Sequence, residues 1–376
     1  MKYKIIDTIS DLKDSVASLE KEKVIAVDLE ADSMFHFKEK VCLIQVAAKN
    51  ENLVIDPLKI NDLSPIKPLF YNPGIKKIFH GADYDVRSLY RDFNIEINHI
   101  FDTQLACMFL GLNKTGLDVV LKSRFNVSLD KKYQKKDWSQ RPLPEEMIEY
   151  AVMDITYLER LAEALEKELK IKKRLFWVHE ECEYLSKVRH GPDQHMPLYV
   201  KVKGYRKLDL PSLAVFEALL KFRSQLAQKK DRPLFKILST HCLKKISIQK
   251  PSSIYALNNM QVLSSKQINM YGNSIITVIN TSLKGPEKFL PAFTCNNVPL
   301  LPAPDPKKIK MLKKWRDATA KRIQIEPGLL CSNALLAAIA IKDPNSLSAL
   351  SQIKDIKKWR VNVFGEEIIT QLHRTH

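Results

Sequence analysis

A run of apolar and β-branched residues near the N-terminus ends in two acids, Val24-Ile25-Ala26-Val27-Asp28-Leu29-Glu30. Such a run is typical of a strand that is buried in a sheet. Because side chains alternate along a strand, Asp28 and Glu30 share one face while Leu29 points to the other. Further strands are predicted at Val41–Ala47, Leu53–Ile55 and Lys77–Phe79, with helical segments between them. The chain is therefore expected to begin with an α/β domain whose sheet carries two carboxylates.

Two later segments carry further acids. The residues from Glu146 to Leu158 contain no Gly or Pro and predict a helix, on which Tyr150 and Asp154 are four apart and share a face. Asp85 follows the predicted strand at Lys77–Phe79 and lies near the start of the next helix. Carboxylates from separate elements, together with a tyrosine, indicate a two-metal site for phosphoryl chemistry.

The three acidic segments resemble the three exonuclease motifs of the DEDD superfamily of 3′-to-5′ exonucleases, in its tyrosine-containing branch, and within it the ribonuclease D family. Val41–Ala47 resembles the second strand of that family, and Lys136–Pro144 is similar to a loop that is specific to it. The resemblance is strong over the first half of the chain and looser over the second. It implies an α/β ribonuclease-H-like exonuclease domain, with a mixed central sheet flanked by helices, followed by two small all-α helical bundles.

The resemblance also implies roles for the site residues. Asp28 would bridge two divalent ions, Mg²⁺ or Mn²⁺, Glu30 and Asp154 would complete the site of the ion that activates water, and Asp85 would serve the second ion. Tyr150 would orient the attacking water. A phenol with an ordinary pKa of about 10 stays protonated at neutral pH, so positioning suits Tyr150 better than proton abstraction.

Three residues near these motifs are candidates for substrate binding. Phe35 and His36 lie in the connection that follows Glu30, and they either stack on a terminal base or cover the edge of the sheet. His80 precedes Gly81, which stands where many exonucleases of the superfamily carry Asn. The basic segment from Lys131 to Lys136 either binds a phosphate near the scissile bond or is a solvated loop.

Two further acids have a structural interpretation. Asp83 lies closer than Asp85 to the start of the same predicted helix, and we expect it to cap that helix. Asp102 is expected to cap the helix that covers Gln104–Leu110.

The net charge of +17 is unevenly distributed. Residues 1–200 contain 30 basic and 32 acidic side chains, residues 201–290 contain 16 and 4, and residues 305–376 contain 14 and 7. The positive excess therefore lies in the second half, which favours a polyanionic partner there. A basic surface that only aids solubility is the alternative.

The second half contains an internal duplication of about 90 residues, since Val215–Arg223 resembles Ile309–Arg316 and the pair Tyr271-Gly272 resembles Phe364-Gly365. Both copies resemble helicase-and-RNase-D-C-terminal (HRDC) domains, which are small helical bundles that bind nucleic acid. The domains predicted in this way are an exonuclease domain at 1–190, a linker at 191–207, a first helical nucleic-acid-binding domain at 208–289, a linker at 290–304 and a second helical domain at 305–376.

The six cysteines are scattered, with no C-x-x-C pair and no His at zinc spacing, so neither disulfides nor a zinc site are expected. The sequence has no apolar run of about 20 residues and no signal peptide at its start, so we expect a cytoplasmic protein without membrane association.

The leading hypothesis is therefore a 3′-to-5′ exoribonuclease, acting as a monomer on RNA with a free 3′ end, in particular on precursors of tRNA or other stable RNAs. A DNA-directed exonuclease on the same scaffold is one alternative. A nucleic-acid-binding protein without catalytic activity is another, although the intact set of acids speaks against it.

Overall fold

The computed structural model describes residues 2–49, 51–189, 196–285 and 303–374. Six strands form one mixed sheet in the order β1-β4-β3-β2-β5-β6. Strand β2 pairs antiparallel with β3 and parallel with β5, and it lies in the interior of the sheet. The strands are β1 (Lys4–Ile6), β2 (Val24–Ala31), β3 (Val41–Ala48), β4 (Glu51–Ile55), β5 (Lys76–Phe79) and β6 (Ile100–Asp102).

Eight α-helices flank this sheet, which confirms the mixed sheet with flanking helices that the sequence predicted. The expected continuous helix after Glu146 is instead two helices, which are separated at Tyr157. Before the break the Thr156 hydroxyl donates to the carbonyl of Val152, a side-chain bond that bends helices. The eight are α1 (Ile9–Leu19), α2 (Lys67–Tyr71), α3 (Asp83–Phe93), α4 (Thr103–Leu110), α5 (Leu117–Phe125), α6 (Glu145–Thr156), α7 (Leu158–Ile171) and α8 (Leu175–Ser186).

The first copy of the duplication, called the first repeat below, is a helical bundle around the buried side chains of Phe216, Leu219, Ile246 and Ile275. Two 3₁₀ turns, Leu198–Lys201 and Tyr205–Lys207, precede it within the predicted linker, whose residues 191–195 lie outside the described part. Its helices are α9 (Leu210–Lys229), α10 (Leu234–Ile237), α11 (Thr240–Gln249), α12 (Ile254–Asn259) and α13 (Ser265–Leu283).

The second repeat has the same series of helices. Most of the predicted linker at 290–304 precedes it and lies outside the described residues. Its helices are α14 (Pro306–Ile323), α15 (Pro327–Leu330), α16 (Asn333–Lys342), α17 (Leu347–Ser351) and α18 (Lys358–Leu372).

The two repeats match residue for residue with an offset of 93 positions. Arg223 donates to the carbonyl of Leu238 and to the Thr240 hydroxyl, and Arg316 donates to the carbonyl of Cys331 and to the Asn333 side chain at the corresponding positions. Gly272 and Gly365 also correspond. A Cβ on either glycine would press against side chains of the short helix that precedes it, α12 or α17. The two copies seen in the sequence therefore share equivalent hydrogen bonds and equivalent side-chain packing.

The described residues form two compact units. One unit contains residues 1–31, 40–190 and 301–376, so the second repeat belongs to the same unit as the sheet. The other contains residues 32–39 and 191–300, so the loop after β2 belongs with the first repeat. This grouping differs from the order of domains along the chain, and the boundaries given by the sequence stay a prediction. No helix of the described ranges is long and apolar enough to cross a membrane.

Candidate active site

Three carboxylates meet at the end of strand β2. Asp28 and Glu30 project from the same face of β2, and Asp154 reaches them from helix α6. One ligand oxygen from each of the three lies within 4.8 Å of the others, which is close enough to hold one metal ion. The sequence spacing along a strand and along a helix therefore brings these side chains together as expected.

Asp85 lies near this cluster, in the first turn of helix α3, with 7% of its surface exposed. Its charge contributes to raising the pKa of both Asp28 and Glu30. Burial, followed by the charge of Asp102, raises the pKa of Asp85 itself to about 8. Asp85 is thus a fourth acid within electrostatic reach of the cluster, although its oxygens lie outside the three-residue group.

The electrostatics of the cluster favour a bound cation. Burial raises the pKa of Asp28 and of Glu30 well above their ordinary values, and the neighbouring carboxylates add to this. Burial also raises the pKa of Asp154, to about 7. Carboxylates that repel one another are stabilised by a positive charge between them. An all-oxygen donor set suits hard divalent cations such as Mg²⁺ and Mn²⁺, so the residues present fit a divalent metal site.

Tyr150 is half-buried one turn before Asp154, and its hydroxyl is hydrogen-bonded to the Asp154 carboxylate. Burial and the adjacent carboxylates raise the pKa of Tyr150, so the phenol stays protonated. The ring is held between two aromatic neighbours, Tyr133 and Trp138, whose ring centroids lie 6.0 and 6.1 Å away. The orientation of the hydroxyl is therefore set by packing as well as by the hydrogen bond.

The loop before helix α6 supports this arrangement through Arg141. Its guanidinium donates to both oxygens of Asp56 at 2.6 and 2.7 Å, and to the carbonyls of Trp138 and Cys42 at 2.8 and 2.7 Å. Trp138 packs in an apolar cluster with residues of β3 and α6, and 1% of its surface is exposed. This loop is recognisable in the sequence by its resemblance to the family, whereas no sequence pattern marks Asp56 as its anchor on the sheet.

A cavity of about 290 Å³ opens onto Asp28, Glu30, Tyr150 and Asp154. Two of its lining residues, Gln104 and Asp118, were not identified as site residues from the sequence, because isolated polar residues give no pattern. Lys131, from the basic segment, also lines the cavity and forms an ion pair with Asp118 at 2.7 Å.

His80 lines the same cavity. Its Nδ1 lies 2.9 Å from the Thr103 hydroxyl, and its Nε2 lies 2.8 Å from the carbonyl of Thr115. Burial lowers the pKa of the imidazole, which keeps the ring neutral. Both nitrogens are thus engaged by the protein, and a contact with substrate stays a prediction.

Asp102 positions the helix that carries Asp85. Its carboxylate accepts from the backbone N–H groups of Gly81 and Ala82, both at 2.9 Å, and caps α4 by accepting from Gln104 and Leu105. The predicted cap is therefore confirmed. Gly81 has a φ of +89°, a conformation in which glycine is not strained, which explains the glycine at this point.

The capping role expected for Asp83 is wrong. Helix α3 has Ala82 at its N-cap and no side-chain cap. Asp83 instead accepts from the guanidinium of Arg87 one turn later, at 2.9 and 3.1 Å. The N–H groups before α3 already have Asp102 as their acceptor, which leaves the Asp83 carboxylate to the exposed side of the helix.

Phe35 and His36 belong to the other compact unit, where their loop packs on the first repeat. His36 Nδ1 lies 2.7 Å from Asp231 Oδ2, and the N–H of Phe37 donates to Asp231 Oδ1 at 3.0 Å. The ammonium of Lys236 lies 4.5 Å from the centroid of the Phe35 ring. Their predicted role in substrate binding stays a prediction.

Comparison with known proteins identifies the domains of the chain. A 3′-5′ exonuclease family model matches residues 3–170, and the HRDC domain model matches residues 212–279 and 307–372. The fold and the two family models thus define a 3′-5′ exonuclease that carries two HRDC domains.

The similar proteins refine this class. Ribonuclease D of Bartonella henselae is 28% identical over 368 residues, which cover 97% of this chain and 88% of that protein. RRP6-like protein 2 of Arabidopsis thaliana is 30% identical over 296 residues, 75% of this chain, but the match spans only 34% of that protein. The crystal structure of Escherichia coli RNase D matches over the full length of both chains with a TM-score of 0.73 and 23% identity, which shows the shared fold. The chain is therefore similar to ribonuclease D over nearly its full length, and it has a 3′-5′ exonuclease domain followed by two HRDC domains.

Proposed function

We propose that this protein removes nucleotides one at a time from the 3′ ends of RNA, and that Asp28, Glu30, Asp85, Tyr150 and Asp154 carry out the reaction. The observation that carries the proposal is the meeting of three carboxylates within 4.8 Å beside a hydrogen-bonded tyrosine. A cluster of carboxylates that repel one another, in the lining of a cavity, destabilises the folded protein when no cation is bound. It is therefore best explained as a site for cations and a phosphate.

Two divalent ions, Mg²⁺ or Mn²⁺, would be held by the four acids. Asp28, Glu30 and Asp154 would bind one ion, and Asp28 and Asp85 would bind the second. When bound, such ions supply positive charge that stabilises the attacking and leaving oxygens of a phosphodiester during hydrolysis. The acids themselves contribute by fixing this charge at one place in a partly buried cavity.

Tyr150 would position the attacking water. Because its pKa is raised, the phenol is not a base at neutral pH, but its oxygen can accept a hydrogen bond from water while its own O–H group donates to the Asp154 carboxylate. The aromatic contacts with Tyr133 and Trp138 would limit rotation of the ring, so the water is held in one direction.

RNA with a free 3′ end is the proposed substrate, and precursors of tRNA or other stable RNAs are the proposed physiological class. This rests on the ribonuclease D relatives and on the positive excess of the second half. We further propose that the protein acts as a monomer in the cytoplasm.

Paired substitutions on helix α3 test the catalytic assignment. Asp85→Asn removes an acid next to the cluster, whereas Asp83→Asn removes an exposed acid two residues earlier on the same helix. With a 3′-extended tRNA and Mg²⁺ or Mn²⁺, Asp85→Asn, Asp28→Asn and Asp154→Asn should abolish release of nucleotides, while Asp83→Asn should keep it. Full activity in the first three variants would refute the assignment.

The same experiment separates the alternatives. A DNA strand with the same 3′ tail, a blunt RNA duplex and a reaction with EDTA run in parallel. Faster digestion of the DNA tail would favour a DNA-directed enzyme. Absence of cleavage with either ion, while RNA is still bound, would favour a binding protein without catalytic activity.

A further inference from the structure

The two repeats present one equivalent surface, called the turn face below. In the first repeat it consists of residues 229–236, from the end of α9 into α10, together with Lys266 at the start of α13. In the second repeat it consists of residues 322–329 together with Trp359. The two surfaces have the same backbone but different side chains, so their uses can be compared directly.

In the second repeat part of the turn face contacts protein, since Ile325 and Trp359 are buried while Arg322 and Glu326 are exposed. Arg174 donates to the carbonyl of Ile323 at 2.6 Å and to that of Phe109 at 2.8 Å, so it joins α14 to α4. The carbonyl of Gln324 lies where a Cβ on Gly111 would be, so only glycine allows this approach.

Trp359 completes this contact. It has no exposed surface and stacks on Trp177 of α8, with ring centroids 4.6 Å apart and planes at 15°. Glu180 accepts from the N–H groups of Lys358 and Trp359 at 2.7 and 2.8 Å. The turn face of the second repeat is therefore an intramolecular docking surface, which is apolar at its centre.

In the first repeat the equivalent positions are basic and exposed. Lys229, Arg232, Lys236 and Lys266 are all exposed, and they correspond to Arg322, Ile325, Leu329 and Trp359. No carboxylate of the described residues forms an ion pair with any of these four cations, whereas Arg322 is paired with Glu367 at 2.8 Å. These four cations of the first repeat are called the basic quartet below.

The acids of the first repeat do not neutralise the basic quartet. Its described part contains three acids, and each has another partner. Asp209 caps α9 by accepting from the N–H of Ser212, and Glu217 accepts from the N–H of Tyr199. Asp231 lies within the turn face, but its oxygens hold His36 and the N–H of Phe37.

Aromatic side chains lie among these cations. Phe235 is 54% exposed between the turn and Lys236. The Phe35 ring is half-buried beneath the Lys236 ammonium, and Asp231 fixes the loop that carries it. Cations that track phosphates, next to rings on which bases stack, are the combination that binds single-stranded nucleic acid.

We propose that the turn face of the first repeat binds single-stranded RNA, with the basic quartet contacting the phosphates and Phe35 stacking against a base. In the second repeat the equivalent face packs against the sheet unit of the same chain instead. The inference rests on the proposed function, because it assigns the substrate of that function to one repeat. Asp231 is a positioning residue, which holds the Phe35 loop on the repeat.

Two variants with equal loss of charge test this. The first replaces the basic quartet by glutamine (K229Q, R232Q, K236Q and K266Q). The matched control replaces four exposed lysines of α14 in the second repeat, K310Q, K313Q, K314Q and K321Q. Both are made in the Asp28→Asn background for binding to a 5′-labelled 20-nucleotide RNA, and in the wild-type background for kinetics. Thermal melting confirms that each variant is folded.

The quartet variant should bind the RNA at least tenfold more weakly, and the slope of log Kd against log salt should fall by about 0.7 for each phosphate that no longer has a cation beside it. In the quartet variant KM for the 20-nucleotide RNA should rise, while kcat should be unchanged because no quartet residue touches reacting atoms. The control variant should change Kd less than threefold. Phe35→Ala should weaken binding about tenfold with an unchanged salt slope, since stacking releases no counterions. A variant with K229R, K236R and K266R should restore affinity.

Equal weakening in the quartet variant and the control would show that only total charge matters, and would overturn the proposal. Wild-type affinity for RNA in the quartet variant would also overturn the proposal. The same holds if the basic quartet binds a protein instead of RNA. A failure of the proposed function can be told apart from a failure of this inference. In that case the wild-type chain would release no nucleotides, whatever affinity the binding assay measures.

Discussion

Replacing Trp359 by Ala should strongly destabilise the unit that contains the sheet. Trp359 is fully buried, stacks on Trp177, contacts Phe109 edge-on at 5.6 Å, and donates from Nε1 to Glu181 at 2.9 Å. Truncation of a buried tryptophan costs about 3–5 kcal/mol. Glu181 keeps its ion pair with Arg360 at 3.0 Å, so no buried charge is left unpaired. We therefore expect a loss of about 4 kcal/mol in the free energy of unfolding.

For a unit of this size, each kcal/mol lowers the melting temperature by about 2–4 °C, so the shift should be about 10 °C. The assay is calorimetry, combined with exonuclease activity that remains after heating. Lys266→Ala is the matched control, because it occupies the equivalent position of the first repeat and is exposed, where a substitution changes stability by about 0.5 kcal/mol or less. A shift below about 2 °C, or one equal to that of the control, would refute the docking role of the tryptophan.

Three further predictions concern the site. Tyr150→Phe should lower kcat about 100-fold with little change in KM or in metal affinity, measured by steady-state kinetics and calorimetry; an unchanged kcat would exclude a role in positioning water. Asp154→Asn should stabilise the metal-free protein by about 1–2 kcal/mol at pH 8 and not at pH 4, in urea unfolding with EDTA. The sign follows because the folded pKa of about 7 exceeds the unfolded value, so the wild-type carboxyl lowers stability as pH rises from about 4 to 7. Asp102→Ala should cost about 3–5 kcal/mol because it removes the acceptor of four backbone N–H groups, whereas Asp83→Ala should cost about 0.5 kcal/mol or less.

Much of the site could be predicted because its residues occupy periodic elements. Asp28 and Glu30 share a face by the alternation of a strand, and Tyr150 and Asp154 by the repeat of a helix. The positions of Asp85 and of the Lys136–Pro144 loop needed the family resemblance, since neither has a local periodic signal. The cap at Asp102 followed from its place just before a helical run, which is a local rule.

What the sequence did not predict depends on contacts between distant segments. Asp83 and Asp102 both suited a cap, and only the fold shows that Asp102 already serves the N–H groups before α3. The docking of the second repeat was missed because Trp359 fits an ordinary apolar helix position, and Trp177 lies 182 residues away from it along the chain. No pattern in one sequence links such a pair.

The charge asymmetry has a physical role once the site and the repeats are considered together. In the proposed function an RNA phosphate would enter a cavity lined by carboxylates, which would repel it until cations are bound. The first repeat offers an excess of positive charge whose few acids are already engaged in capping and loop contacts. Binding energy from that surface can offset the repulsion at the site, and a surface with separate cations and rings binds many sequences alike.

In the second repeat the same backbone needs no such charge, because its turn face is already occupied by Trp177 and Arg174. The proposal therefore assigns two different uses to two equivalent surfaces: docking on the sheet unit in the second repeat and binding of the polyanion in the first.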